Sequence, residues 1–103
     1  MKIAVAVYQP SETSEISTQA GRAPFFLLFE GKLVETLKNP FSVGGGGAGF
    51  GVAKMLADKQ VKAVAAGKFG SKMTDALQDR GIQAHEVRGT VKEALARIQE
   101  IQD

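Results

Sequence analysis

The chain contains no cysteine. That excludes disulfides, thiolate metal sites, protein-held iron–sulfur clusters and a cysteine nucleophile. A single histidine, His85, cannot assemble a histidine-based zinc site within one chain. Long hydrophobic runs are missing as well. No stretch approaches the ~20 apolar residues of a membrane helix, and Met1-Lys2 leads straight into a strand-like segment rather than a signal peptide. These absences predict a cytoplasmic protein with no membrane association. Nucleic acid is not an expected partner, because there is neither a basic recognition helix nor a basic sheet interleaved with aromatics. A metal-dependent nuclease would want acids on its central strands; residues 2–8 carry none, and 61–66 run into Ala65-Ala66-Gly67.

What is present is an ordinary globular composition, 44% hydrophobic and 23% charged over 103 residues. Such a chain buries roughly 60–70% of its unfolded surface, enough for one core, so residues 1–103 are expected to form a single domain. The formal net charge is only +2. Its distribution is uneven: residues 38–74 carry six lysines against Asp58 alone, whereas acids outnumber bases on both sides of that stretch. The positive field therefore centres on the third of the chain that also holds a glycine run.

Segments 2–8 (KIAVAVY) and 61–66 (VKAVAA) read as short strands buried on both faces. Residues 25–30 and 32–38 flank Glu30-Gly31 and should pair as an antiparallel hairpin. Strict alternation in its second arm would put Leu33, Glu35 and Leu37 on one face, and its partly polar character suits an edge strand. Residues 82–87 read as a half-polar strand at the opposite edge. Helices are predicted over roughly 48–59, with Val52, Met55, Leu56 and the Lys59 stem inward, over 72–80 with Ser71 as N-cap and Gly81 as terminator, and over 91–101. The last opens with a capping box, Thr90-Val91-Lys92-Glu93, and continues with Val91, Ala94, Leu95, Ile98 and Ile101 at helical spacing. The order β-β-β-α-β-α-β-α brings residues 9–24, the glycine run, 67–71 and 88–90 to one end of a mixed sheet. Open α/β sheets place ligands at that end, and the helix N-termini collect there.

Gly44 to Gly47, with Ala48-Gly49-Phe50-Gly51, is the segment that least resembles a plain connector. Such a loop can turn amides inward and let a ligand approach the main chain. It is neither a dinucleotide fingerprint nor a Walker loop. It follows the wrong strand, Phe69 stands where an acid about twenty residues on would be needed, and no Lys-Ser/Thr pair follows. Arg22, Lys68, Lys72 and Arg88 should lie near the same end, either as contacts to an anion or as solvated charges. His85 reads as a half-buried polar residue rather than a ligand or base. No serine of the first loop has a base beside it, and no paired carboxylates can be located, so no catalytic residues and no metal ligands are assigned.

The string Ser17-Thr18-Gln19-Ala20-Gly21-Arg22-Ala23-Pro24-Phe25-Phe26, with Asn39-Pro40, Gly47-Ala48-Gly49, Lys68-Phe69-Gly70 and Gly89-Thr90-Val91, resembles the dinitrogenase iron–molybdenum cofactor biosynthesis family, the NifX/NifB-like domain. The resemblance covers nearly the whole chain. It implies a ribonuclease-H-like α/β fold: a five-stranded mixed sheet of order 3-2-1-4-5, strand 2 antiparallel, with three helices. It also implies non-enzymatic work, in which members bind, carry or store iron–molybdenum cofactor or a related Mo/Fe or Mo/Cu sulfide cluster, with a cofactor-assembly protein as partner and the chain itself a monomer or weak homodimer. The family's frequent His before Phe-Gly is Gln19 here, and the His-containing stretch before the first helix is replaced by Ser42-Val43 and glycines. The expected cofactor-binding residues are therefore Gln19, Gly21, Arg22, Gly45, Gly46, Gly47, Gly49 and Lys68, holding an anionic cluster by amides and a guanidinium rather than by metal–ligand bonds. Alternatives are a module for a nucleotide or another anion, and a protein–protein interaction module that has lost cluster binding.

Overall fold

The computed structural model describes residues 1–44 and 46–102. Its elements are β1 (Ile3–Val7), β2 (Phe25–Glu30), β3 (Lys32–Lys38), α1 (Ala48–Asp58), β4 (Ala63–Ala66), α2 (Ser71–Asp79), β5 (Gln83–Glu86) and α3 (Val91–Gln102). They form a five-stranded sheet of order β3-β2-β1-β4-β5. Strand β2 is antiparallel to β1 and β3, while β1, β4 and β5 run parallel. The order, the strand directions and both edges are those expected.

Alternation along the strands feeds two cores. Ala4, Ala6, Phe26, Leu28, Val64 and Ala66 meet Val52 and Leu56 of α1 and Met73 and Leu77 of α2. On the other face Ile3, Val5, Val7, Leu27, Phe29, Ala63 and Ala65 meet Val91, Ala94 and Ile98 of α3. β1 and β4 are buried throughout, which is why they read as near-continuous apolar runs. The stripe position expected at Ile101 concerns a side chain outside the described residues.

Three local expectations fail. The β2–β3 register shifts between Leu28, which faces Glu35, and Phe29, which faces Leu33. Val34 is thus an extra residue in a bulge, and it turns Leu33 toward the α3 core while Leu37 packs on the α1/α2 core. Leu33 and Leu37 therefore do not share a face. At α2 the N-cap is Gly70, with no side-chain cap bond, and Ser71 is the first helical residue. Its end is as read: Gly81 N–H donates to Gln78 O at 3.0 Å and Ile82 N–H to Leu77 O at 2.9 Å, the paired bonds of a Schellman ending, with Gly81 at φ 70°. Lys59, expected to lay its stem along the α1 stripe, reaches across to Glu35 on β3 at 2.7 Å.

Candidate functional site

The C-terminal ends of β1 and β4 are where ligands would be expected to enter the crevice. Part of the protein's own first loop already lies there. Ser17 N–H donates to Ala6 O at 2.7 Å and Gly67 N–H donates to Ser17 O at 2.8 Å, so Ser17 is laced between the two strand ends. Ile16 N–H bonds Gly89 O at 3.1 Å and Ala20 N–H bonds Lys68 O at 2.9 Å. Gly67 has no room for a side chain, since a Cβ would stand 2.9 Å from the Thr18 backbone. Residues 15–20 thus form a strap across the sheet end. The single crevice predicted from topology becomes two pockets, one on each side of it.

The strap is anchored by short polar contacts that its Ser/Thr-rich sequence supplies. Ser14 Oγ accepts from the backbone N–H of Tyr8 at 3.2 Å and of Gln9 at 3.0 Å. The Tyr8 hydroxyl shares a 2.5 Å hydrogen bond with Thr18 Oγ1 and accepts from Thr18 N–H at 2.8 Å. Those two bonds, the side-chain one first, lower the Tyr8 phenol below its ordinary value of 10.0.

On the α1/α2 side lies a pocket of about 500 Å³. Gln19, Ala20, Gly21 and Arg22 form one wall, Ala48 and Gly49 a second, and Lys68 with Gly70 to Met73 a third. Three cations line it and no carboxylate does, among the described residues. Two helices begin at it, and both begin without a side-chain cap or an acid in the first turn. The N-cap of α1 is Gly47, whose φ of 85° suits glycine, and that of α2 is Gly70. Orphan amides and positive dipole ends are therefore directed at one cavity. The helices meet closely there, because a Cβ on Gly49 would come within 2.8 Å of Met73 Cβ. A smaller pocket of about 240 Å³, lined by Tyr8, Ser17, Thr18, Gln19 and Arg22, adjoins it through Gln19 and Arg22.

Of the residues singled out from sequence, Gln19, Gly21, Arg22, Gly49 and Lys68 are brought together in this wall. Gly21 sits against the start of α1, a Cβ there lying 3.8 Å from Gly49 N. Gly46 and Gly47 are exposed and do not line the pocket, and Gly45 lies outside the described residues. Lys68 and Lys72 were both read as basic residues of this end. Ala20, Ala48, Gly70, Ser71 and Met73 are not among the site residues expected from sequence; only the pairing of α1 with α2 brings the last three opposite Gly49. Arg22 is already engaged in part: its Nη1 donates to Phe41 O at 3.0 Å.

Across the strap a pocket of about 410 Å³ is lined by Glu15, Ile16, Thr18, Gly67, Val87, Arg88, Gly89 and Thr90. Here the helix N-terminus is closed by its own chain. Thr90 Oγ1 accepts from Glu93 N–H at 3.2 Å and donates to Glu93 Oε1 at 2.9 Å, and Thr90 N–H reaches the same carboxylate oxygen at 3.3 Å. Arg88 is placed on this side, away from Arg22. His85 is half-buried on β5 with Gln83 Oε1 at 3.2 Å from Nε2, and burial first, then Arg97, lowers it below 6.5. Among the described residues no group of three or more His, Cys, Asp or Glu could hold a metal ion, and no helix is long and apolar enough to cross a membrane.

A family model described as dinitrogenase iron–molybdenum cofactor matches residues 1–101. No curated protein is significantly similar in sequence. Among solved structures, the apo form of the orange protein from Desulfovibrio gigas is 28% identical, with 98% of this chain and 88% of that one covered and a TM-score of 0.90. A Thermotoga protein provisionally named NifB is 24% identical over 96% of this chain and 87% of its own, at a TM-score of 0.81. A Methanocaldococcus jannaschii protein provisionally named a dinitrogenase is 15% identical over 97% and 88%, at 0.67. The last two bear on the fold alone.

Proposed function

The chain belongs to the dinitrogenase iron–molybdenum cofactor family, and from that premise we propose that it is a small carrier that binds a preassembled anionic metal–sulfur cluster and catalyses nothing itself. The cargo would be iron–molybdenum cofactor or a related Mo/Fe or Mo/Cu sulfide cluster, received from or passed to a cofactor-assembly protein. One observation carries the reading: two uncapped helix N-termini, Arg22, Lys68 and Lys72 surround one cavity that no carboxylate lines among the described residues.

The donor set fits an anion whose metals already have their ligands. The chain has no thiolate to offer, and the cavity wall contributes amide N–H groups, a guanidinium and ammonium groups, all of them hydrogen-bond donors to sulfide or oxo faces. Gln19, Gly21, Gly49 and Lys68 are the residues proposed to touch the cargo beside Arg22. In this reading residues 1–103 are one ribonuclease-H-like domain, cytoplasmic, and a monomer or weak homodimer. The β3 edge supports the last point, being bulged at Val34 and ended by Lys32 and Lys38, features that discourage edge pairing. A nucleotide is less well served, because among the described residues no aromatic ring lines the larger pocket for a base to stack on.

Tetrathiomolybdate is a suitable probe. Gel filtration after incubation should show molybdenum co-eluting with the protein, and amide spectra should shift at Gly21, Gly49, Ser71 and Lys72. Protein free of molybdenum with unmoved amides, or stabilisation by nucleotides and not by the thiometallate in a thermal-shift series, would overturn the carrier reading.

A further inference from the structure

Next to the larger pocket, five residues close a ring of hydrogen bonds that the strands and helices do not need for their own ladders. Asn39, just after β3, is 1% exposed. Its amide nitrogen donates to Gly21 O at 3.1 Å and to Ala23 O at 2.8 Å, the two carbonyls on either side of Arg22. Its side-chain oxygen accepts the Phe41 N–H at 2.9 Å. Phe41 O in turn receives Arg22 Nη1 at 3.0 Å. Both donors and the acceptor of this buried amide are therefore committed to the peptide that carries Arg22 and to the peptide that receives its guanidinium. The Phe41 ring lies over Gly51 of α1, where an added Cβ would overlap it.

We propose that Asn39 is a positioning residue for the pocket: through Gly21, Ala23 and Phe41 it presets the Arg22 guanidinium, and through the Phe41 ring on Gly51 it couples Arg22 to the first turns of α1. An arginine held at both flanking carbonyls and at its own fork loses little freedom when an anion arrives, so less of the binding energy is spent on ordering it. The same ring means that a guest touching Arg22 and the packing of Phe41 on α1 are linked, since both depend on where Phe41 stands. The coupling is a property of the free chain; its consequence for cargo rests on the carrier reading above.

The experiment has two arms, one needing no ligand. In the free protein, Arg22→Lys keeps the charge but not the planar fork, and hydrogen exchange at Phe41, Ser42 and Val43 should quicken by about tenfold while β1 and β4 amides stay as they were. Gly51→Ala, which adds only a methyl group and favours the helix, should shift the Arg22 Nε–H resonance although it touches Phe41 rather than Arg22. Unchanged exchange in the first variant, or an unmoved Arg22 signal in the second, overturns the coupling. In the anion arm, tetrathiomolybdate is titrated into wild type, Asn39→Ala and Gly51→Ala and followed by amide shifts at Gly21 and Ser71. Affinity should fall by about tenfold in both variants, with Gly51→Ala still unfolding in one cooperative urea transition once the Phe41 ring has shifted. Equal affinity in Gly51→Ala overturns the positioning role even if Asn39→Ala fails to fold. Wild type that binds no thiometallate removes the carrier reading and the ligand half of this proposal together, leaving the coupling to be judged on exchange alone.

Discussion

On the α1/α2 side of the strap, two helices start with bare glycine caps, no acid stands in either first turn, and three cations line the cavity. On the α3 side, a helix starting at the same end of the same sheet is capped by Thr90 and Glu93, and Glu15 shares the lining with Arg88. The two regions share a topology, a parallel strand feeding a loop and then a helix N-terminus. They differ in who satisfies the orphan amides. At α3 the chain does so itself, and the helix gains stability; at α1 and α2 those donors are left to solvent or to a guest. A fold that places three helix N-termini at one end does not make all of them binding sites, and the first-turn side chains decide which are.

The largest effect should come from filling the close contact that lets the two open helices share one pocket. Gly49→Ala puts a methyl carbon 2.8 Å from Met73 Cβ and 3.1 Å from Met73 Cα, and backbone cannot step aside as a flexible side-chain tip can. We expect a loss of about 1–3 kcal/mol in urea unfolding, together with loss of tetrathiomolybdate co-elution. Wild-type stability would mean that α1 and α2 are free to separate, and the shared pocket would lose its defining constraint.

Converting the open end into a copy of the closed one should spare the fold and remove the function. Gly70 has extended backbone, φ −70° and ψ 156°, and open space where a Cβ would go, so Gly70→Asp fits as an N-cap. Stability should rise by a few tenths of a kcal/mol, while affinity for the thiometallate drops by at least about tenfold as the new carboxylate takes the amides and repels the anion. Isothermal titration and urea melts on one preparation would separate the two effects. Retained affinity would show that the α2 N-terminus takes no part. The reciprocal change, Thr90→Ala, should cost about 1 kcal/mol of stability and leave anion affinity as it was, because the guest is on the other side of the strap.

Much of this contrast could be read before any coordinates. The capping box at Thr90–Glu93 is a local code, two side chains and two amides within one turn, and it appears where the residues say. The hairpin likewise has the predicted bounds, 25–30 and 32–38, since β-rich runs on either side of Gly31 admit few other arrangements. What escaped depends on partners distant in sequence. The bulge at Val34 answers to the twist of β2 against β3 and leaves no local signature. The strap is fixed by bonds from residues 16–20 to Ala6, Gly67, Lys68 and Gly89, none of which a periodicity can express. The glycine run was read as one amide cradle, yet its members have separate reasons: Gly49 admits Met73, Gly51 admits Phe41, and Gly47 supplies a left-handed cap. Arg22 reads from sequence as an anion contact or a solvated charge, and neither reading contains its tie to Phe41 O, which Asn39 makes possible.

The smallest effect tests whether the α3 side is structural rather than responsive. His85 is lowered by burial first and by the Arg97 charge second, so the folded state resists taking up its proton. Between the unfolded value near 6.5 and the lower folded one, the unfolded chain then binds more protons than the native one. Stability should therefore rise with pH up to about 6.5 and level off above it. His85→Gln, which keeps a polar side chain beside Gln83, should flatten that slope in urea midpoints collected from pH 5 to 8. Anion affinity over the same range should follow the wild-type curve, since His85 belongs to neither the cationic wall nor the strap. A slope that survives the substitution would assign it to carboxylates elsewhere. An affinity that tracked His85 would mean the two sides of the strap communicate, and the division drawn between them would have to be given up.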